Sequence, residues 1–363
     1  MNIDKILPIE VKDIACYEVK TIEDRKSSEQ IVKMDFNENF AAPDEVIKRI
    51  VMDACKSVDV RAYPPPKGGL AVKAIADFIG FSDCEVSVGN GADEIMDLLM
   101  KAFVRKGTKV LVAEPTFPMY TFFAELYGGT KVSAFLEPDF SLNVNDLLSK
   151  ADKQTSLLFV CSPNNPTANQ FAESDIKKLL NEFNGIVVVD EAYADFAPCS
   201  VLNLVKEYDN LVVLRSFSKA FGLAGVRLGY LVADKQIVNC VQKVTGPFNV
   251  NVLTQRIVAL ALQQWSVFKE RIDLVKQERD WLLNKLKELK GITVFPSDAN
   301  FLLFKITKDD LTSATVKQRL ETRNVLVKDR GHLPLLKNCI RVTVGTRSMN
   351  QVFLSALKQS LEE

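Results

Sequence analysis

One lysine, Lys219, lies in a stretch of hydroxyl-bearing and small residues that could support covalent chemistry. Ser216 and Ser218 stand beside it, glycines follow, and Arg227 comes eight residues after it. A lysine amine removed from water can form a Schiff base with an aldehyde, and hydroxyls with an arginine suit a phosphate. Pyridoxal phosphate (PLP) carries both groups, so the stretch predicts a PLP-binding lysine. The alternative is an ordinary solvated lysine at the start of a helix.

The elements around this stretch have the pattern of an α/β fold. Through residues 85–214, continuous apolar runs typical of buried strands alternate with amphipathic helical segments. This alternation predicts a parallel sheet covered by helices on both faces. The apolar run at 211–214 leads directly to Lys219. The next run, 227–232, follows too closely for a long crossover, so we expect it to be antiparallel.

The character of the sequence changes at about Leu253. A long helical pattern with a polar face extends to about Leu289, and short strand and helix patterns follow. These patterns indicate a small α+β domain. We expect a large PLP-binding domain over residues 43–262. The small domain would combine residues 263–363 with the N-terminal segment, residues 1–42.

Polar residues follow several predicted strands at their carboxyl ends. They form the segments Gly89–Glu94, Pro115–Phe117, Ser162–Thr167, Asp190–Tyr193 and Ser216–Arg227. Ligands of open parallel sheets bind at the carboxyl ends of the strands. We therefore expect these five segments to share one edge of the sheet.

The side-chain types in these segments suit the parts of PLP. Asp190 follows four apolar residues, and a buried carboxylate there needs a cation such as a protonated pyridine nitrogen. Asn165 and Tyr193 can hydrogen-bond a phenolic oxygen, and Phe117 can stack on a flat ring. Arg341, in a later strand pattern, offers a bidentate fork for a carboxylate. The plainer alternatives are a structural ion pair, core packing and solvated surface.

In this order and spacing, the motifs resemble the PLP-dependent aminotransferases of the aspartate aminotransferase fold, fold type I. Within that group the chain is most similar to the histidinol-phosphate aminotransferases. The resemblance runs across nearly the whole chain and is carried by Asn37–Asn39, Tyr63–Pro64, Gly89–Glu94, Ser162–Thr167, Asp190–Tyr193, Ser216–Gly225, Pro247–Val250 and Arg341–Thr346. It implies a mostly parallel seven-stranded sheet sandwiched by helices, a small α+β domain, a PLP cofactor and a homodimer with shared active sites.

The resemblance also implies a role for each matching residue. Lys219 would bind the PLP aldehyde and move the reacting proton, Asp190 would pair with the ring nitrogen, and Phe117 would stack on the ring. The ring oxygen would be bound by Asn165 and Tyr193. The phosphate would be held by the backbone of Ala92 and Asp93, the side chains of Ser216, Ser218 and Arg227, and Tyr63 reaching in from the other subunit.

Substrate-binding roles are implied in the same way. Arg341 would bind the carboxylate of the amino donor, and Asn37 belongs to a segment that closes over the site. Tyr17 matches a tyrosine near the substrate phosphate. The substrates would be an amino acid and a 2-oxo acid, with histidinol phosphate and 2-oxoglutarate as the pair used in histidine biosynthesis.

Two positions depart from the family pattern. Ala168 stands where the motif after Thr167 usually has glycine, so we expect that turn to differ or to be mildly strained. Lys328 stands where the family has its substrate-phosphate arginine, and lysine provides no bidentate fork. Arg330, two residues further on, could substitute for it.

Composition excludes several other classes of protein. Lysine plus arginine and aspartate plus glutamate both number 46, which leaves no basic surplus for nucleic acid. No apolar run approaches the ~18 residues of a membrane helix, and no signal peptide is apparent. A single histidine and seven scattered cysteines predict reduced thiols in the cytoplasm and no ordinary zinc site.

Three alternatives to a histidinol-phosphate aminotransferase remain at this stage. The first is an aminotransferase for aromatic or other amino acids on the same scaffold. The second is a PLP lyase resembling threonine-phosphate decarboxylase, which would release carbon dioxide and need no 2-oxo acid. The third is a PLP-binding regulatory or structural protein that keeps the fold without catalysis, although every chemical position holds a competent residue.

Overall fold

The computed structural model describes Ile3, residues 6–15 and residues 31–363. Its helices are α1 (Ile9–Asp13), α2 (Asp44–Ser57), α3 (Gly69–Ile79), α4 (Gly91–Phe103), α5 (Met119–Leu126), α6 (Val144–Lys150), α7 (Glu173–Glu182), α8 (Lys235–Val244), α9 (Val252–Gln263), α10 (Trp265–Lys287), α11 (Ser313–Thr322) and α12 (Arg347–Glu362). Its strands are β1 (Val32–Lys33), β2 (Val86–Gly89), β3 (Lys109–Glu114), β4 (Thr130–Phe135), β5 (Thr155–Cys161), β6 (Ile186–Asp190), β7 (Leu211–Ser216), β8 (Gly229–Ala233), β9 (Ile292–Val294), β10 (Phe301–Ile306), β11 (Val325–Leu326), β12 (Lys328–Asp329) and β13 (Cys339–Thr343).

Seven of these strands form the central sheet, in the order β2-β8-β7-β6-β5-β3-β4. The strands are parallel except β8, which pairs antiparallel with both β2 and β7. The mostly parallel seven-stranded sheet and the antiparallel direction of the run at 227–232 are therefore confirmed. The carboxyl ends of β2, β3, β5, β6 and β7 and the amino end of β8 lie along one edge.

Helices cover both faces of this sheet because its strands are apolar on both sides. Val110, Val188 and Val212 point to one face and pack in a core with α4, α5 and α8. Val187 and Val213, each one residue away from a member of the first set, point to the opposite face. A sheet buried in this way must display its polar groups at strand ends, which is where the predicted segments lie.

A non-helical residue divides the long helical pattern predicted from about Leu253 to Leu289. The structure has two helices there, α9 and α10, separated at Gln264, whose backbone (φ −102°, ψ 19°) is not helical. The ring of Trp265 packs at 5.4 Å from those of Phe78 and Phe221, which anchors the start of α10. No helix in the described part of the chain is long and apolar enough to cross a membrane.

The C-terminal part forms a four-stranded antiparallel sheet in the order β12-β13-β10-β9, with α11 and α12 beside it. This confirms the α+β character that the short patterns predicted. The N-terminal strand β1 joins this part of the molecule, since Val32 pairs in parallel with Val325. The domain limits at residues 43 and 262 stay a prediction.

Candidate active site

A cavity of about 500 Å³ lies at the carboxyl edge of the central sheet, and residues of β12 and β13 also line it. Most of the predicted site residues line it, because the strand ends place them along one edge. They are Asn37, Ala92, Asp93, Phe117, Asn165, Asp190, Tyr193, Ser216, Ser218, Lys219, Arg227, Lys328, Arg330 and Arg341. Glu38, Ala192 and Ala224, which belong to the predicted segments, also line it, as do Phe36, Met96 and Cys161, for which no role was predicted.

Two predicted site residues are not part of this cavity. The side chain of Tyr63 is 82% exposed and stacks on Phe248, with ring centroids 4.6 Å apart. A tyrosine that contributes to another subunit's site would have to be exposed within its own chain. Tyr17 lies outside the described residues.

Lys219 directs its amine into the cavity from the loop that follows β7. Its Nζ donates a hydrogen bond to the carbonyl oxygen of Phe36 at 2.9 Å. Burial, with a smaller contribution from the positive charge of Arg341, lowers the pKa of Lys219 from 10.5 to about 8. A substantial fraction of this amine is therefore neutral near physiological pH, as covalent chemistry with an aldehyde requires.

This lowered pKa leads to a test in the protein without PLP. In competitive acetylation followed by mass spectrometry, the acetylation rate of Lys219 should reach half of its maximum near pH 8, because only the neutral amine reacts. Lys177, an exposed lysine paired with Glu173, should require a higher pH, since that pairing raises its pKa. Replacing Arg341 with glutamine should move the Lys219 midpoint upward, because a neighbouring positive charge is removed. Equal midpoints for the two lysines would contradict the burial of Lys219.

Asp190 ends β6 with its carboxylate buried and 4% exposed. One oxygen accepts a hydrogen bond from the backbone of Ala192 at 3.0 Å, and the other accepts one from the Tyr120 hydroxyl at 2.6 Å. Burial raises the pKa of Asp190, whereas these two hydrogen bonds oppose the rise. None of the ion pairs between described residues involves Asp190. A buried carboxylate with donors but no cation fits a ligand that brings a positive charge.

The start of α4 and the start of β8 form a close-packed backbone cradle. A β-carbon on Gly229 would lie 2.3 Å from the backbone nitrogen of Ala92. Gly91 has φ of +77°, a left-handed conformation that favours glycine, so both positions favour glycine for backbone reasons. Arg227 is anchored by Asp93 at 2.9 Å. Backbone amides at a helix start together with an arginine constitute an anion-binding site.

Asn165 and Arg341 meet across the cavity. An Arg341 Nη atom donates to the side-chain oxygen of Asn165 at 2.7 Å, and the other Nη donates to the backbone oxygen of Asp35. Arg341 is only 3% exposed, and both of these partners are neutral oxygens. A carboxylate entering the cavity would be a stronger acceptor for the same fork.

Asn37 connects three parts of the molecule. Its backbone has φ of 56°, a left-handed conformation that asparagine tolerates better than most residues. Its carbonyl accepts from Asn300 and its N–H donates to the Thr343 hydroxyl, both at 3.0 Å. Its side-chain amide donates to the Tyr193 hydroxyl, also at 3.0 Å. The position of the Tyr193 hydroxyl thus depends on the C-terminal sheet.

The residues around Asn37 form a strap, residues 34–39, between the C-terminal sheet and the lysine loop. Met34 exchanges backbone hydrogen bonds with Leu326 and Thr343, both at 2.9 Å. At the other end, the side chain of Asn39 donates to the carbonyl oxygen of Ala220 at 3.0 Å. The carbonyl that accepts from Lys219 lies in the middle of this strap.

Ala168 adopts the left-handed backbone conformation, with φ of 71°. Its N–H donates to the carbonyl of Asn164 at 2.7 Å, and its own carbonyl accepts from Asp298 at 2.8 Å. Its methyl group is completely buried in a small cluster with Tyr193 and Phe301. The turn therefore keeps the conformation that glycine would favour, and the packed methyl group offsets part of the strain.

We expect Ala168→Gly to change the free energy of unfolding by less than about 1 kcal/mol. Relief of left-handed strain gains about 1–2 kcal/mol, whereas the lost methyl burial and the freer unfolded chain cost about the same. Ala76, equally buried but within α3, is the matched control. Ala76→Gly should cost about 2 kcal/mol in urea unfolding. Equal losses at the two positions would show that Ala168 is unstrained.

A basic wall faces Lys219 from the C-terminal sheet. Lys328 and Arg330 line the cavity together with Arg341. Burial, followed by the charges of the two arginines, lowers the pKa of Lys328. Its Nζ lies 5.4 Å from the centre of the Phe36 ring, an aromatic face that favours a cation. Three cationic side chains on one wall favour an anionic substrate.

The donor set at this edge fits PLP. Lys219 offers an amine for the aldehyde, Asp190 a buried negative charge for the ring nitrogen, and the cradle around Ala92 and Arg227 an anion site. Asn165 and Tyr193 line the same cavity with hydrogen-bonding side chains. Burial raises the pKa of Tyr193 to about 12, so its hydroxyl stays protonated.

The chain is similar to known proteins over nearly its whole length. A model of the family described as aminotransferase class I and II matches residues 29–357. The histidinol-phosphate aminotransferase of Thermoanaerobacter pseudethanolicus is 37% identical over 361 residues, which is 99% of each chain. The histidinol-phosphate aminotransferase of Pyrococcus furiosus is 35% identical over 330 residues, 91% of this chain and 92% of its own.

Two solved structures are similar to this fold over most of their length. Histidinol-phosphate aminotransferase from Sinorhizobium meliloti, in complex with PLP, matches with a TM-score of 0.89 at 20% identity, covering 98% of this chain and 97% of its own. L-threonine-O-3-phosphate decarboxylase from Porphyromonas gingivalis matches with a TM-score of 0.80 at 26% identity, covering 92% and 100%. One scaffold therefore occurs in proteins named for two different reactions.

Proposed function

Because the chain belongs to the class I and II aminotransferases and is therefore a PLP-dependent enzyme, we propose that its substrates are L-histidinol phosphate and 2-oxoglutarate. The products would be imidazole-acetol phosphate and L-glutamate, in histidine biosynthesis. The observation that carries this proposal is the basic wall, Lys328, Arg330 and Arg341, opposite Lys219. Full-length relatives that bear the histidinol-phosphate name support it.

When bound, PLP supplies an aldehyde that captures the substrate amine and a ring that accepts the electrons of the broken C–H bond. The chain's own residues then act around the substrate. Lys219, partly neutral because of its burial, removes the proton from the substrate carbon that bears the amine. Asp190 would provide the negative charge for a protonated ring nitrogen. Asn165 and Tyr193 would orient the ring by hydrogen bonds to its oxygen.

Arg341 would bind the carboxylate next to the reacting carbon of glutamate or 2-oxoglutarate. To do so it exchanges its hydrogen bonds to neutral oxygens of Asn165 and Asp35 for bonds to a charged acceptor. Lys328 and Arg330 would bind the phosphate of histidinol phosphate. The two substrates share one reacting position and differ in which cations they engage.

We also propose that the enzyme is a cytoplasmic homodimer with shared active sites. Tyr63 and Phe248 form an exposed aromatic stack that a second copy of the chain would cover. The six cysteines of the described part are all free thiols, which suits a reducing compartment. The division into a large and a small domain at residues 43 and 262 belongs to the same proposal.

The test is an assay of purified enzyme with PLP and 2-oxoglutarate. We expect glutamate to form with L-histidinol phosphate at a kcat/KM far above those for L-histidinol, phenylalanine and tyrosine. A preference for the unphosphorylated aromatic amino acids would overturn the proposed substrate and favour the aromatic aminotransferase alternative.

Lys328→Ala should lower kcat/KM for L-histidinol phosphate by about 10- to 100-fold, the value of a charge-assisted hydrogen bond. The half-reaction with glutamate should change much less, because Arg341 is retained. Lys33→Ala is the matched control, since Lys33 also lies over Phe36, at 4.4 Å, but pairs with Glu38 and does not line the cavity. Equal losses for both half-reactions would contradict a phosphate-binding role for Lys328.

A lyase is the second candidate, because the decarboxylase from Porphyromonas gingivalis has the same fold at 26% identity. Its named substrate, like histidinol phosphate, carries a phosphate, which the basic wall would also accept. The two reactions differ in their co-substrate. Release of carbon dioxide from L-threonine O-3-phosphate without any 2-oxo acid would favour the lyase, whereas dependence on 2-oxoglutarate supports the aminotransferase.

A further inference from the structure

Tyr120 is a buried tyrosine whose hydroxyl contacts the carboxylate of Asp190. It lies in the first turn of α5, one turn after Phe117, with none of its surface exposed. Its hydroxyl donates to Asp190 at 2.6 Å, which is short for a hydrogen bond between two oxygens. Tyr120 does not line the cavity, so it would act on bound PLP through a residue that does, and its hydroxyl contacts one such residue, Asp190.

The ring of Tyr120 is held in place on both sides. It stacks on Phe159 with centroids 4.7 Å apart and an interplanar angle of 21°. The edge of Phe117 meets it at 5.7 Å and 79°. Since Phe159 is a fully buried residue of the central sheet, the phenol cannot swing away from Asp190 without opening the core.

The direction of this hydrogen bond follows from the environment. Burial and the neighbouring Asp190 charge raise the pKa of Tyr120 well above its usual range. The phenol therefore stays protonated and is the donor of this hydrogen bond. Asp190 thus has two donors, the Tyr120 hydroxyl and the backbone of Ala192. A carboxylate with two fixed donors is favoured in its ionised form and has a fixed orientation.

We propose that Tyr120 is a positioning residue for the cofactor: it keeps Asp190 ionised and oriented so that the PLP ring nitrogen is bound in its protonated form. This inference rests on the proposed role of Asp190. Tyr120 acts through Asp190 and touches neither substrate nor PLP. A purely structural tyrosine would affect stability but not the protonation of the ring nitrogen.

The experiment measures that protonation directly. Enzyme is reconstituted with PLP labelled with ¹⁵N in the ring, and the nitrogen chemical shift is recorded for wild type and Tyr120→Phe. We expect the wild type to show a protonated nitrogen and the variant to shift toward the unprotonated value. The PLP dissociation constant should rise about 10- to 100-fold, as for loss of one hydrogen bond to a charged group.

Tyr127→Phe is a matched control, because it removes the same atom from a tyrosine that follows α5. The Tyr127 hydroxyl donates to Asp97 at 2.9 Å, away from the cavity. This variant should keep the wild-type nitrogen shift and PLP affinity. Tyr120→His, which can restore a donor, should return the shift toward the wild-type value and provides a second variant if Tyr120→Phe folds poorly.

An unchanged nitrogen shift in Tyr120→Phe, with only a lower melting temperature, would overturn the proposal. The same conclusion would follow if Tyr127→Phe moved the shift equally. A wild-type enzyme that binds PLP with an unprotonated ring nitrogen would overturn the role of Asp190 and this inference together, whereas the aminotransferase assignment would stand on its own assay.

Discussion

Replacing Lys219 by alanine is expected to reduce turnover by at least about 10⁴-fold, the largest effect of any single substitution in this chain. The substitution removes both the amine that binds the PLP aldehyde and the base that moves the substrate proton, and base catalysis alone contributes about 10²- to 10⁴-fold. The visible absorbance that PLP shows when bound covalently to a lysine should disappear with it. Steady-state kinetics and an absorbance spectrum measure the two losses.

The fold should survive this change. Lys219 forms one hydrogen bond, to a backbone carbonyl, and its burial disfavours its charged form. The variant should therefore have a circular dichroism spectrum like that of the wild type. Lys177→Ala, at an exposed helix position, is the control and should keep full activity. Activity in Lys219→Ala near that of this control would refute the catalytic assignment.

The second large effect is expected from Asp190→Asn. The side chain keeps its size but loses the charge that would pair with the ring nitrogen, and breaking a buried ion pair costs about 3–5 kcal/mol. Turnover should fall by about 10²- to 10⁴-fold, because the ring then accepts electrons less readily. The kinetics of a half-reaction with glutamate, followed by the spectral change of PLP, measure this step.

Asp97→Asn is the control, because it removes the charge from another aspartate that accepts a hydrogen bond from a tyrosine. Asp97 accepts a hydrogen bond from Tyr127 much as Asp190 does from Tyr120. Asp97→Asn should leave the half-reaction rate within about twofold of wild type, since Asp97 does not line the cavity. If Asp190→Asn were equally mild, Asp190 would be a structural residue only.

Much of the fold and cavity could be predicted from the sequence because local rules determine them. Continuous apolar strands with helices between them specify a parallel sheet, and the sheet determines which edge collects polar groups. Asp190 and Lys219 were predicted at that edge because each directly follows a buried strand. The break at Gln264 was missed because the helical pattern continues through it and only the packing of Trp265 reveals the turn.

Other parts of the site could not be predicted, because no sequence pattern indicates them. Tyr120 looks like a core aromatic, and only the fold shows that its hydroxyl reaches Asp190. The hydrogen-bond acceptor of Lys219 is the backbone carbonyl of Phe36. Every residue has such a carbonyl, so the residue type gives no indication of this contact. Asn300 and Thr343 hold Asn37 from 263 and 306 residues away, and such contacts depend on tertiary structure alone.

The strap over residues 34–39 has a consequence for the order in which the molecule can be assembled. Its residues are made before the central sheet, yet Met34 and Asn37 bind Leu326 and Thr343, which are made after that sheet. The strands of the central sheet lie between these segments in the chain, so they can pair before the strap has its partners in the C-terminal sheet. Synthesis of the sheet and completion of the pocket are therefore separate events. The pocket around Lys219 would therefore be completed only after the C-terminal sheet has been made and has bound the strap.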